Sequence, residues 1–162
     1  KSQLADKVTG IANTNGSMPR FTAKAATTGT NKVTIAKLLI KAVNNKPIPV
    51  HGDGTQSRVF CHVHDAIEAL LALIVTDKSI NEVYNVGGEG ETTIQQLAEK
   101  IIASTKSSSG LTFTPYSQAY PAGFEDMQRR VPDITKAKTS LNWKPIRDLD
   151  QIISDVAASF KQ

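Results

Sequence analysis

Four side chains able to bind a metal fall within five residues: Cys61, His62, His64 and Asp65. Zinc takes thiolate, imidazole and carboxylate ligands, three or four of them converging on one point. On a strand, His62 and His64 would share a face, about 7 Å apart. No second cluster supplies the remaining ligands, and the one other histidine, His51, stands alone. The group reads as strand-end packing and helix capping, and no metal site is expected. As a nucleophile Cys61 fares no better, because a thiol buried on a strand is inert.

A second pattern is rich in glycine. Val83 to Val86 reads as a strand and runs into Gly87-Gly88-Glu89-Gly90 ahead of a helix. Turns of this kind let backbone N–H groups approach a pyrophosphate. Here the third glycine position holds Thr93, and Glu89 and Glu91 put negative charge where phosphate would arrive. No acid follows at the end of a second strand about twenty residues on, where a dinucleotide's ribose needs one. The segment reads as a tight turn, and no cofactor is expected to bind this chain by itself.

The elements that must position these residues come from periodicity. The chain has 162 residues, 40% of them hydrophobic and 21% charged, enough for one globular domain with its own core. Val33, Ile35, Leu38, Leu39, Ala42 and Val43 recur at helical spacing and stop at Asn44-Asn45. Ile48 to His51 is extended, Gly52-Asp53-Gly54 turns, and Arg58 to Val63 reads as a strand. Asp65 and Glu68 have the spacing of a capping box opening a helix from Ala66 to Val75. A strand from Glu82 to Val86 is followed by an amphipathic helix, Thr92 to Thr105, with Ile94, Leu97, Ile101 and Ile102 inward. Leu111 to Pro115 is a further strand and Pro121 to Gln128 a loop. Asp133 caps a short helix through Leu141, and Asp148 caps a last one ending near Phe160. Strands alternating with helices predict an α/β fold. Residues 1–30 form a poorly readable segment, with a strand over Val8–Ala12 and a long loop over Gly16–Thr30; residues 31–162 form the domain proper.

Composition excludes several classes. No run of about eighteen apolar residues exists, so no membrane partner is expected. Lys1 to Gly10 lacks the apolar block of a signal peptide, as a mature secreted chain also would. One cysteine leaves no intrachain disulfide and fits a cytoplasmic location. Aromatics at 6% argue against a nucleic-acid surface of stacked rings. The formal charge of +4 suits an anionic ligand, although ordinary solubility is the plainer explanation of it.

Three ordered blocks carry a family resemblance. Ile48-Pro49-Val50-His51-Gly52-Asp53-Gly54-Thr55-Gln56-Ser57-Arg58-Val59-Phe60-Cys61-His62-Val63-His64-Asp65 resembles a segment of the extended short-chain dehydrogenases that act on nucleotide sugars. Glu82-Val83-Tyr84-Asn85-Val86-Gly87-Gly88 with Thr93-Ile94 and Leu97-Ala98 is similar to a second block. Arg129-Arg130-Val131-Pro132-Asp133-Ile134-Thr135-Lys136-Ala137 with Leu141-Asn142-Trp143-Lys144-Pro145 is similar to a third. The wording of the first and third blocks resembles the UDP-glucuronate decarboxylase and UDP-glucose 4-epimerase branches. Together they span about 130 residues, from Asn31 onward.

The resemblance implies the C-terminal, substrate-binding part of a Rossmann-type, NAD-dependent enzyme of roughly 300 residues. It implies a UDP-sugar or other nucleotide sugar as ligand, a separate NAD-binding domain as partner, and a chain inactive by itself. That partner would leave an apolar face, so a homodimer is a further expectation. The family's Tyr-x-x-x-Lys pair is not found: Tyr84, Tyr116 and Tyr120 are followed four residues on by Gly88, Tyr120 and Phe124. Arg58 matches the family's diphosphate arginine, whose planar fork suits phosphate oxygens; a strand-edge charge is the plain alternative. Either Arg129 or Arg130 supplies a second clamp, or both only solvate a loop. Asp126 matches a ribose-binding aspartate, although Gly123 stands where the family places an accompanying arginine. Val50 and His51 match positions that meet the base. Asn85, and more remotely Asn13, match phosphate-contacting asparagines, while Asn85 also suits the turn before Gly87. Asp133 reads as a helix cap. The competing readings are a non-catalytic nucleotide-sugar binding module and a polyanion-binding or structural domain.

Overall fold

The structure, a computed structural model, describes residues 22–25, 30–121 and 126–160. The expected strand at Val8–Ala12 lies outside them. Helix α1, Thr30–Val43, buries Ile35, Leu38, Leu39 and Ala42 along one stripe, whereas Val43 is exposed. It stops where Asn45 turns left-handed (φ 51°) and Lys46 N–H returns to Lys41 O at 3.0 Å. Strand β1, Thr22–Ala25, interrupts the loop expected over Gly16–Thr30; it is built on neighbours distant in sequence that local composition does not reveal.

Strand β2, Ile48–His51, buries Ile48 and Val50. After the Gly52–Gly54 turn, β3 covers only Ser57–Val59, shorter than expected. The chain leaves the strand because His62 is the N-cap of α2, Val63–Ile74: its imidazole accepts the His64 N–H at 3.1 Å. Asp65 is therefore not the expected cap. It sits within the first turn, fully buried. A 3-10 turn, Asp77–Ser79, leads to β4, Val83–Val86. Strand β5, Glu91–Thr93, occupies what reads as the start of a helix, because Thr92 and Thr93 are claimed by antiparallel pairing with β3. Helix α3, Ile94–Thr105, then opens on a complete capping box, with Thr93 and Gln96 bonding each other's backbone.

Strand β6, Leu111–Thr114, a short helix α4, Tyr116–Ala119, and β7, Arg129–Arg130, follow. Helix α5 is Thr135–Leu141; its N-cap is Ile134, and Asp133, one residue further out, still accepts Thr135 N–H at 2.9 Å. Helix α6, Leu149–Ser159, is capped by Asp148 as expected. The strands pair as β1–β4 and β2–β6, both parallel, and as β5–β3–β7.

Two apolar cores result. The first gathers α1, β2, Phe60, α3 and Ile152–Ile153 of α6. The second gathers Ala69 and Leu73 of α2, Tyr84 and Val86 of β4, Ala137 and Leu141 of α5, and Trp143. The chain crosses between them four times, and the first crossing, residues 60–69, meets the last, residues 143–152. Asp65 joins these two: its carboxylate pairs with the Arg147 guanidinium and accepts Arg147 N–H at 3.1 Å. The Asp65 carbonyl accepts the Trp143 indole N–H at 3.0 Å. A buried carboxylate stripped of its cation costs more than a rim cation left to hydrate. Arg147→Ala is therefore expected to lower the urea midpoint more than Asp65→Ala, and the reverse ranking would contradict this account.

Candidate functional site

Strand β3 lies between β5 and β7, which buries Arg58 to 6% exposure in mid-sheet. Its guanidinium donates Nη1 to the Ser57 and Met127 carbonyls and Nη2 to Asp126 Oδ1, each at 2.7 Å. Arg58 is thus no strand-edge charge. In the parallel register, Arg58 faces Arg130 and Ser57 faces Arg129. Arg130 consequently shares Arg58's side of the sheet. Arg129 is on the other side, exposed, with Nε 3.0 Å from both carboxylate oxygens of Glu91. This separation of the two arginines needs the register and was not readable from their adjacency.

An aromatic group adjoins the Arg58–Asp126 pair through Tyr116, on whose phenol both charges act. His51 Nδ1 is 3.0 Å from Tyr120 Oη, and the Tyr116 and Tyr120 rings stack with centroids 5.9 Å apart. Gly52, at φ 71°, admits the Tyr116 ring where a Cβ would come within 2.4 Å of Cε2. Tyr116 and Tyr120 were missed in the sequence; their spacing of four residues was the available signal. The side chain of Val50 is buried in the first core, which leaves its backbone as the part that could meet a base. Gln56 is buried and donates Nε2 to the His51 carbonyl at 2.8 Å.

The remaining candidates fall elsewhere. Asn85, exposed on β4, donates to the Asp133 carbonyl at 3.2 Å. Asn13 lies outside the described residues. Asp126, read as a ribose ligand, is bound to Arg58. His62 and His64 do not share a strand face; His62 caps α2 and meets Asp155 Oδ2 at 2.9 Å through Nε2. Among the described residues no three His, Cys, Asp or Glu groups converge to hold a metal. Cys61 is off the strand, and burial, with Asp65 nearby, pushes its thiol up to about 11.

The glycine turn does not fit a dinucleotide. A Cβ on Gly88 would lie 1.8 Å from the Phe60 carbonyl oxygen and one on Gly87 2.5 Å from Pro132, so these two glycines serve packing; of the three, Gly90 alone faces open space. Glu89 pairs with Lys138 and Glu91 with Arg129.

The model of the GDP-mannose 4,6-dehydratase family matches residues 8–156. The chain belongs to that family. It is a nucleotide-sugar epimerase/dehydratase-like protein of the extended short-chain dehydrogenase group, with the corresponding mixed α/β fold. It is 35% identical over 129 residues to a UDP-N-acetyl-alpha-D-glucosaminuronate decarboxylase of Bacillus cytotoxicus, covering 79% of this chain and 40% of the relative. It is 32% identical over 127 residues to UDP-glucuronic acid decarboxylase 1 of Arabidopsis thaliana, covering 78% and 27%. A Bacillus cereus UDP-glucuronic acid 4-epimerase solved with UDP-glucuronic acid and NAD superposes with TM-score 0.69 at 25% identity, covering 88% of this chain and 43% of that one. The chain thus spans less than half the length of the relatives it matches.

Several carboxylates that order this family member's turns are held below their usual range. Thr55 hydrogen bonds do so for Asp53, Arg129 and then Ser57 for Glu91, and the Thr135 N–H for Asp133. A lowered folded-state pKa means that stability is fully present above the unfolded value, near 4.5 for Glu91, and is lost as pH falls through the folded one. Thermal midpoints are expected to be flat above about pH 5 and to fall steadily below about pH 4.5. A midpoint rising on acidification would reverse the sign of this argument.

Proposed function

We propose that this chain is the nucleotide-sugar-binding portion of an NAD-dependent epimerase, dehydratase or decarboxylase, with a UDP-sugar as ligand. The observation that carries the reading is Arg58: a guanidinium fixed in mid-sheet, in register with Arg130, beside the His51–Tyr120–Tyr116 group. Arginine's planar fork binds two phosphate oxygens at once, and a second cation on the same side supplies the remaining charge of a diphosphate. Aromatic and imidazole rings next to it suit the nucleoside. Asp126 balances Arg58 in the free chain and moves aside, or shares the guanidinium, when the diphosphate arrives.

In this reading the chain's residues bind and orient; they do not perform the redox step. A sugar anchored through its diphosphate presents one carbon in a fixed place, which removes most of the entropic cost of a bimolecular encounter. No tyrosine here has a lysine four residues on, so proton transfer belongs to residues outside this chain. In the whole enzyme, NAD would supply the hydride-accepting chemistry. The isolated chain is expected to be catalytically inactive and to act in the cytoplasm as part of a longer enzyme, without membrane or nucleic-acid partners.

Calorimetric titration with UDP at two salt concentrations tests the reading. The native chain should bind, Arg58→Ala should lose roughly 10- to 100-fold in affinity, and Arg58→Lys should recover part of it. No binding at millimolar UDP, or equal binding by all three, would reject the assignment. Binding that follows salt and ignores the nucleotide would favour a polyanion-binding domain.

A second expectation concerns assembly. Val63, Ile67, Leu70 and Leu71 form an exposed apolar stripe along α2, and Val83 of β4 is also exposed. Such a surface on an isolated chain favours self-association. Light scattering should report dimers or larger species, and a monomer that binds no hydrophobic dye would count against it.

A further inference from the structure

We propose that the Tyr116 hydroxyl is a ligand-binding donor, held for a phosphate oxygen of a nucleoside diphosphate seated at Arg58. This rests on the reading of Arg58 as the diphosphate clamp, and no family motif quoted above contains Tyr116. Tyr116 Oη is buried and has no hydrogen-bond partner among the described residues. A buried hydroxyl without a partner gives up its hydration and receives nothing back. Folding leaves such groups where something else is to bind.

The ring is held so that the hydroxyl cannot be withdrawn to water. Its face stacks on Tyr120 at 28° between planes, and Tyr120 is tied through its own hydroxyl to His51 Nδ1. The other constraint is Gly52, whose missing side chain leaves the space that Cε2 fills. Tyr116 starts α4, and the Tyr120 N–H returns to the Tyr116 carbonyl at 3.0 Å, which fixes both rings on one turn.

The charged groups that act on the phenol identify the ligand. Asp126 and Arg58, themselves bonded at 2.7 Å, are foremost, followed by Asp53. Burial, then Asp126, raises the phenol's pKa, so it stays protonated and donates at neutral pH. A donor beside a buried guanidinium is matched by an anionic oxygen, the strongest acceptor available there. The diphosphate would receive the forked contact of Arg58 and a third hydrogen bond from Tyr116.

The test is Tyr116→Phe, which keeps the stacked ring and removes only the oxygen. Three measurements on the same chain are compared with the native one: the thermal midpoint without ligand, the affinity for UDP, and the phosphorus and base-proton resonances of bound UDP. The midpoint should be unchanged or raised, because a partnerless buried polar atom has gone. Affinity for UDP should fall about 5- to 10-fold. The phosphorus resonances should shift between the two proteins while the base protons should not. A lowered midpoint with unchanged affinity would make the hydroxyl structural and overturn the proposal. Shifts confined to the base protons would overturn the phosphate assignment. Failure of the native chain to bind UDP would bring down the Arg58 reading and this inference with it, a result distinguishable from the other two.

Discussion

The carboxylate of Asp65 is sealed from water at the point where the chain passes from one apolar core to the other. A charge in that position is tolerated only if its hydrogen-bonding capacity is met, and here it is met by a backbone N–H and a guanidinium from the last crossing. The same residue's carbonyl takes the indole of Trp143. One side chain and one peptide group thus fasten residues 143–147 to the start of α2. His62, three residues earlier, reaches α6 through Asp155, which sits below its usual pKa owing first to Gln151 and then to His62. The first and last crossings are thus fixed to each other just beyond β3, the strand that carries Arg58.

The Arg58 group follows the same logic of a buried charge that must be met. Three of its donor contacts go to Ser57, Met127 and Asp126, so the guanidinium is oriented before any ligand arrives. Pre-orientation lowers the entropic cost of binding, while the Asp126 contact sets a competing carboxylate against an incoming phosphate. Affinity is then a difference between two anions on one cation. The fold supplies further discrimination through Gly52 and the tyrosine pair, which bring aromatic surface against the same turn.

Legibility in the sequence followed the range of the interactions. Helices α1, α3 and α6 could be read because their apolar stripes and caps are local, as Thr93 and Asp148 illustrate. Strands β1, β5 and β7 could not: each is two to four residues long and exists through pairing with a distant segment. The cap of α2 was misplaced because imidazole at His62 took the role that Asp65 and Glu68 have by pattern. At the site, Arg58 was legible from its motif, whereas the choice between Arg129 and Arg130 required a register. The spacing of Tyr116 and Tyr120 marked a ring pair, but nothing local marks a hydroxyl whose partner is missing.

The order in which the first core is assembled along the chain has a consequence for biosynthesis. Its members are α1 and β2 near the start, α3 midway, and Ile152 and Ile153 almost at the end. Among the described residues β2 pairs with β6, and the apolar partners of α1 include α3 and α6. During synthesis Leu38, Leu39, Ile48 and Val50 therefore stay incompletely covered until α3, β6 and α6 have emerged. Long-range closure of this kind is slow relative to local helix formation. The interval between translation of α1 and of α6 is thus one in which a holdase chaperone would find apolar surface to bind.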